Sequence, residues 1–508
     1  MKKMLILCCI GIMFLLVNLF VSAQEIYLYE STIDYERFNK DEILVTLNTK
    51  SSKEWNEYST LDFAEVDCIS INELTEVYKN SSILKEKSNN NPNFKRILKL
   101  RINSKSVEET IQKINILKKR DEILSVNSNY YLNNKFELNK SANRVLGDDW
   151  GYDYINMSSA LNLTATMSKT RISVGVIDTG VYTHSEFPSS TYSLSDSYRY
   201  VDGTETSSGN MNIMGNHGTA VAGIIGAKRD NNGIDGVCED VRIYSFNIQH
   251  DAYDNQEVFS NMILALGSAD LKNIKVVNIS YGDTMNVPEL KTAIENFNGL
   301  VICGAGNSNS NNDNLSQAIY PASYNSSNII SVGGIDRYGE RYTIFHSDVN
   351  MYEGSNYGAT SVDVFAPAKD IYSLDTTSST SYNSNYSGTS FAAPFVTGLA
   401  AYIWSVCPNL TYTRVKEIIM SSVTINSNLI GLCVSGGVVN AEAAIRMATN
   451  HSHNCNIYEY YDNTYHRAVC ECGYSILENH SWRVIKSAKD MLLAVGAKQC
   501  TKCGCISL

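Results

Sequence analysis

Three residues far apart in the chain have the chemistry to break an acyl bond together. Asp178 lies in VGVIDTGV (174–181), His217 in NHGTAVAGIIGA (216–227) and Ser390 in NYSGTSFAAPFVTG (385–398). Singly, each has a structural use. An Asp at a strand end forms turns, a His among small residues packs or caps, and a Ser before an apolar run caps a helix. Together they supply acid, base and nucleophile in the order Asp–His–Ser. A serine hydroxyl is a poor nucleophile until a neighbouring base takes its proton as it attacks. His217 would be that base, and Asp178 would hold the imidazole in one tautomer and stabilise its charged form. Ser390 would be displayed at a helix N-terminus. Pro394 falls early in the same helix, where a missing donor does little harm.

These residues need a scaffold, and residues 150–450 read as one. Apolar runs at 172–178, 241–248, 275–282, 300–307 and 328–335 alternate with helical patterns at 218–227, 257–271 and 289–297. Strands alternating with helices imply βαβ units and a parallel sheet, an α/β fold. Several of these runs end in Asp, Asn or Gly, and the carboxyl edge of such sheets is where sites form. Residues 24–132 read as a smaller α/β unit. EILVTL (42–47), ILKLRI (97–102) and EILSVNSNYYL (122–132) are its strands, and SVEETIQKINILKKR (106–120) is its helix. Ser106 followed by Glu109 marks a capping box there. Polar residues 133–149 read as a linker.

The chain has 508 residues, 44% hydrophobic and 19% charged, which suits several folded domains. A net charge of −11 argues against nucleic acid as a partner. Residues 1–23 have a basic start, an apolar run and small residues Ser22 and Ala23, as a cleaved export signal does. An uncleaved anchor is the alternative, since the run is nearly long enough to span a bilayer. Either way the chain is expected to be secreted or at the cell surface.

The stretches DTG (178–180), HGTAVAG (217–223) and GTSFAAP (388–394) resemble the motifs of the subtilisin-like serine proteases, and the resemblance covers roughly residues 150–450. It implies a mainly parallel sheet with helices on both faces, and endopeptidase activity with no cofactor in catalysis. CGAGNSN (303–309) resembles the family's oxyanion segment, which makes Asn307 a donor to the developing charge. Ser280, Tyr281 and Gly282 resemble the strand that pairs with an extended peptide substrate, and Gly304, Ala305 and Gly306 the opposite pocket wall. Ile319 matches a pocket-floor position, where its bulk implies a shallow, apolar pocket. Ala220 stands where relatives often carry a second His outside the triad. Glu186 and Asp230 match carboxylates that hold a structural Ca2+, with solvated loop carboxylates as the other reading. By the same resemblance residues 24–132 are a propeptide that inhibits until the chain cuts itself between Tyr130 and Gly147. An inactive surface-binding protein and an acyl-transferring peptide ligase are the competing functions on this fold.

The tail, 451–508, is a separate Cys/His-rich module. It holds six of the 13 Cys and four of the eight His. HRAVCECG (466–473) and CTKCGC (500–505) resemble zinc knuckles, with Cys470, Cys472, His480, Cys500 and Cys503 as ligands to Zn2+. Disulfides are the alternative in an exported chain, and attachment to a surface is the role the module suggests.

Overall fold

A computed structural model describes residues 38–48, 58–75, 94–130, 149–201, 204–206, 216–230, 233–248, 258–346 and 351–449. Of the tail it describes 455–460, 465–470, 475–484, 498–500, 502 and 506–507. The expected export signal, linker residues 133–148, Cys472 and Cys503 lie outside the described residues.

The N-terminal unit is an antiparallel sheet of β1 (Phe38–Leu47), β2 (Cys68–Glu73), β3 (Arg96–Ile102) and β4 (Ile123–Tyr130), in the order β2-β3-β1-β4. Helix α1 (Val107–Leu117) packs on it. Ser106 caps α1, its Oγ accepting from the Glu109 amide at 3.3 Å. The Glu109 carboxylate returns to the Lys105 amide at 2.9 Å, one residue before the expected partner.

Beyond the linker come α2 (Trp150–Tyr154), α3 (Met157–Leu163), β5 (Ile172–Asp178), β6 (Ser197–Val201), β7 (Thr204–Thr206), α4 (His217–Gly226) and β8 (Val241–Asn247). They are followed by α5 (Val258–Leu271), β9 (Val276–Ile279), α6 (Pro288–Asn296), β10 (Leu300–Gly304), β11 (Ile329–Ile335), and the hairpin β12 (Thr343–His346) and β13 (Met351–Gly354). Then come β14 (Val364–Pro367), the hairpin β15 (Ile371–Asp375) and β16 (Ser381–Tyr386), α7 (Thr389–Val406), α8 (Tyr412–Ser421), β17 (Thr424–Ile425), β18 (Gly437–Val438) and α9 (Ala441–Thr449).

Among the described residues ten strands form one sheet in the order β17-β18-β14-β11-β10-β9-β5-β8-β6-β7. It is parallel except at its two edge pairs, β17–β18 and β6–β7. Its strands read as near-continuous apolar runs because both faces are buried, as parallel sheets require. Val174 and Val176 of β5 face a core built on α4 and α7, while Ile177 faces the one built on α5 and α6. The second core also takes in Ile43, Leu44 and Val126 of the N-terminal sheet, so that unit is seated on α5 and α6. Helix α7 is apolar and long enough to cross a membrane by length and composition, and it is a core helix, 89% buried.

From β5 the chain winds outward in both directions, to β8 and β6 on one side and to β9, β10, β11 and β14 on the other. The strand order therefore reverses at β5, and the crevice at its carboxyl end is where a doubly wound sheet binds its ligand. Asp178 is the last residue of β5.

Candidate active site

Asp178 and His217 meet in the crevice. Asp178 is wholly buried, and its Oδ1 lies 2.8 Å from His217 Nδ1 and accepts from the Thr179 amide at 2.7 Å. Asp178 Oδ2 is buried without a hydrogen-bond partner among the described residues. His217 is the first residue of α4, and the Gly218 amide donates to Thr179 Oγ1 at 3.0 Å, which ties the start of α4 to the Asp strand. A side chain at 218 would collide with the Gly180 carbonyl and sit 3.1 Å from Asp178 Oδ1. The glycine of HGT is thus a close-approach residue that lets the imidazole reach its carboxylate. The rings of His217 and Phe391 lie 5.2 Å apart between centroids.

Ser390 is the second residue of α7, not its cap. The cap position belongs to Gly388, whose φ of 140° is a conformation that favours glycine. Pro394 is correspondingly one turn inside the helix, later than its place in the sequence suggests. It cannot donate to the carbonyl four residues back, which is that of Ser390. That carbonyl accepts from Ser280 Oγ at 2.7 Å instead, and Ser390 Oγ donates to the Ser280 carbonyl at 3.2 Å. Asn278 Nδ2 donates to Ser280 Oγ at 2.8 Å and Thr397 Oγ1 to Asn278 Oδ1 at 2.9 Å, so the chain after β9 is locked to α7.

Asn307 follows β10 through Gly306, whose φ is 106°. Its Oδ1 accepts from the Thr389 amide at 2.8 Å, from Thr389 Oγ1 at 3.0 Å and from Tyr342 Oη at 2.7 Å. With the carbonyl end so held, Nδ2 is the end turned toward Gly388, 3.2 Å from where a Cβ would stand. An amide donor beside the nucleophile at a helix N-terminus can stabilise a developing oxyanion. Thr389 lies inside the GTSFAAP stretch, where nothing marks it as a partner of Asn307, and Tyr342 lies in no motif. Thr389 was visible only as a neighbour of Ser390, and Tyr342 not at all.

The two glycine segments flank Ile319. A Cβ on Gly282 would collide with Ile319 Cγ2, and one on Gly306 would lie 2.8 Å from Ile319 Cγ1. Ile319 is 7% exposed, so its side chain fills the space between the segments. Asp283 and Tyr320 exchange backbone bonds of 2.9 and 2.7 Å and fasten one segment to the Ile319 loop. Tyr281 is turned inward, its Oη donating to Asp283 Oδ2 at 3.3 Å. Gly304 backs onto Thr389, and the Ala305 amide is held by the Val332 carbonyl at 2.9 Å.

The two carboxylates named for calcium differ. Glu186 is buried, one oxygen accepting from the Tyr382 hydroxyl and Oε2 without a hydrogen-bond partner among the described residues; burial pushes its carboxyl above the usual range. Its bare oxygen suits a hard cation. Asp230 is already paired with Lys228 Nζ at 2.7 Å. Among the described residues no three His, Cys, Asp or Glu side chains gather as a metal cluster. In the tail, the backbone register sets Cys455 opposite Cys470 and Trp482 opposite Cys500, and His480 is buried.

Residues 169–451 match the family model described as the Subtilase family. Subtilisin DY of Bacillus licheniformis is 30% identical over 279 residues, which cover 54% of this chain and 90% of that protein. Subtilisin BL of Lederbergia lenta is 29% identical over 303 residues, 58% of this chain and 98% of that one. A solved protease from Pseudoalteromonas arctica PAMC 21717 aligns at 24% identity with a TM-score of 0.48, covering 60% of this chain and 98% of that chain.

Proposed function

This chain belongs to the subtilase family and is a serine endopeptidase, and we propose that Asp178, His217, Ser390 and Asn307 are its working residues. The observation that carries this assignment is their convergence at one sheet edge. The Asp178–His217 bond of 2.8 Å and the triply held Asn307 carbonyl both adjoin the start of α7. Ser390 Oγ attacks the scissile carbonyl carbon while its proton passes to His217. The carbonyl oxygen becomes an oxyanion, met by Asn307 Nδ2 and the Ser390 amide of α7. The C–N bond then breaks, His217 returns the proton to the leaving amine, and an acyl-enzyme remains. Water enters by the same route, and Ser390 is regenerated. Asp178, held by the Thr179 amide, keeps Nδ1 protonated throughout.

The substrate is a protein segment paired as an added strand between 280–282 and 304–306, which reads main chain and leaves selectivity to a few side chains. Ile319 between the glycine walls favours a small or medium apolar residue before the cut.

Residues 24–132 are the enzyme's own inhibitor in this reading. Support comes from their seat on α5 and α6 and from a last strand, β4, that leads into the polar linker. The basic and apolar start argues for export. A structural Ca2+ would take the bare Glu186 oxygen and compete with Lys228 for Asp230, and a chelator that leaves the Tm unchanged would exclude it. For the tail, zinc on Cys470, Cys472, His480, Cys500 and Cys503 predicts that chelation alone exposes these four cysteines to alkylation; disulfides among them predict no alkylation without reductant.

The deciding experiment is intact mass and N-terminal sequencing of the purified chain beside Ser390→Ala. The parent should appear shortened, starting between Asn133 and Asp148, and the variant should stay unprocessed. If both remain full length under folding conditions, self-processing is wrong. A parent that also fails to take up a serine-reactive phosphonate would remove the assignment of Ser390.

A further inference from the structure

We infer that Tyr342 is a positioning residue for the oxyanion hole, through the hydrogen bond from its hydroxyl to the Asn307 carbonyl. The inference rests on the assignment of Asn307 Nδ2 as the oxyanion donor and adds what orients it. A primary amide has a donor end and an acceptor end of nearly equal size, and a half-turn about its last torsion exchanges them. In the wrong orientation Asn307 would present an oxygen to an oxyanion and repel it. The orientation is therefore set by what the far end of the amide touches.

Three donors reach that far end. Two belong to Thr389, which sits on α7 beside the nucleophile, at 2.8 Å from its amide and 3.0 Å from its hydroxyl. The Thr389 hydroxyl is itself shared, accepting from the Gly306 amide at 3.0 Å. The third and shortest is Tyr342 Oη at 2.7 Å. Tyr342 comes from a different part of the chain, the connection from β11 to β12, so the amide is held by two separate segments.

The surroundings are shaped for this ring. Tyr342 is wholly buried, and its ring lies where a side chain on Gly334 would be, 2.8 Å from a Cβ there. Its backbone is fixed in both directions, the amide donating to the Gly334 carbonyl and the carbonyl accepting from the Ser355 amide, each at 3.1 Å. The hairpin it introduces is fastened to the Asn307 loop as well. The Gly354 amide donates to the Asn307 carbonyl at 2.9 Å and the Asn309 amide to the Gly354 carbonyl at 2.8 Å. Burial also raises the phenol well above its ordinary pKa, which keeps the hydroxyl a donor over the working range.

The test is a double-mutant cycle on the full, self-processed chain, with Tyr342→Phe and Asn307→Ala singly and together, and rates taken per site titrated with a serine-reactive phosphonate. Tyr342→Phe keeps the ring and its packing and removes only the donor. Its kcat should fall about 3- to 10-fold, the worth of one neutral hydrogen bond, with KM unchanged. Asn307→Ala should lower kcat about 10²- to 10³-fold. In the Asn307→Ala background Tyr342→Phe should have no further effect. Affinity for a peptide aldehyde, whose adduct places an oxyanion in the hole, should fall with kcat, while affinity for a product-like peptide should not. An equal loss in both backgrounds, a loss confined to KM, or no loss would overturn the positioning role. If Asn307→Ala itself leaves kcat unchanged, the assignment of Asn307 fails and the role of Tyr342 falls with it.

Discussion

The sheet edge and the seat of the N-terminal unit use hydrogen bonds to opposite ends. At the edge, bonds fix how a side chain faces the crevice proposed for substrate. Asn307 is held by its side-chain carbonyl and turns its amide toward Gly388, and Asp178 takes both the Thr179 amide and His217 on Oδ1. At the seat, polar groups from the two units bond to one another. Ser125 Oγ and Asn127 Nδ2 donate to Glu289 at 2.6 and 3.2 Å, and Asn129 Nδ2 to Ser260 Oγ at 3.4 Å. Lys95 and Asn296 exchange two bonds, of 3.4 and 3.0 Å. The first arrangement is preorganised for a charge that forms only during reaction. The second is complementary to a partner already present. Changes at the edge should therefore act on rate and leave folding alone, and changes at the seat should act on association.

The sharpest challenge to that contrast is Asp178→Asn. The amide is nearly isosteric, so α4 and its Thr179 anchor should remain and the Tm should move little. Yet kcat should fall by about 10⁴-fold, because a neutral amide favours the wrong imidazole tautomer and gives no charge to stabilise the imidazolium. Paired measurement of kcat and Tm checks this. A large loss of Tm with a modest loss of rate would make Asp178 a structural residue and break the comparison.

A smaller effect is expected from Ile319→Gly, which opens the space between Gly282 and Gly306 without touching the reacting atoms. The ratio of kcat/KM for a large aromatic residue over alanine before the cut should rise about 10- to 200-fold, the range one pocket methylene or two can discriminate. A set of peptides differing only at that residue measures it. An unchanged ratio would show that Ile319 does not line the pocket.

What was legible in the chain follows the same division. The strands at 172–178 and 329–335 were readable because both sheet faces are buried, which leaves a run of apolar residues between turn formers. The proposed triad was readable because small residues are packed around it: Gly218 and Gly388 are close-approach positions whose spacing to His217 and Ser390 is a local signal. The hairpins β12–β13 and β15–β16 were not read, since Ser381–Tyr386 is almost wholly polar and carries no alternation. Strand β2 is short, half exposed and equally silent. The start of α7 was placed too late because Ser390 resembles a cap, whereas a glycine with positive φ occupies that position. Tyr342, Ser125 and Asn127 act through partners 35 to more than 160 residues away, and no local pattern records such pairings.

The smallest effect expected is also the one that couples the two regions. Glu289 stands in the first turn of α6, wholly buried beneath β4. Burial pushes its carboxyl up to about 7, against the bonds from Ser125 and Asn127 and the nearby Lys118 ammonium, which favour the charged form. With the N-terminal unit gone, the carboxyl regains water and an ordinary acidity near 4.5. The seated state therefore binds the proton more tightly than the separated one. Its advantage is fully present below the lower value and is lost as pH rises through the upper one. The inhibition constant of the processed unit, added back to processed enzyme, should be about 10- to 100-fold weaker at pH 8 than at pH 5. Glu289→Gln holds the neutral form at every pH and keeps an oxygen for Ser125, so it should retain tight inhibition at pH 8 and flatten the profile. A pH profile unaltered by Glu289→Gln would assign the dependence to other groups, and the seat would then be a fixed complementary surface rather than one that loosens as the medium turns alkaline.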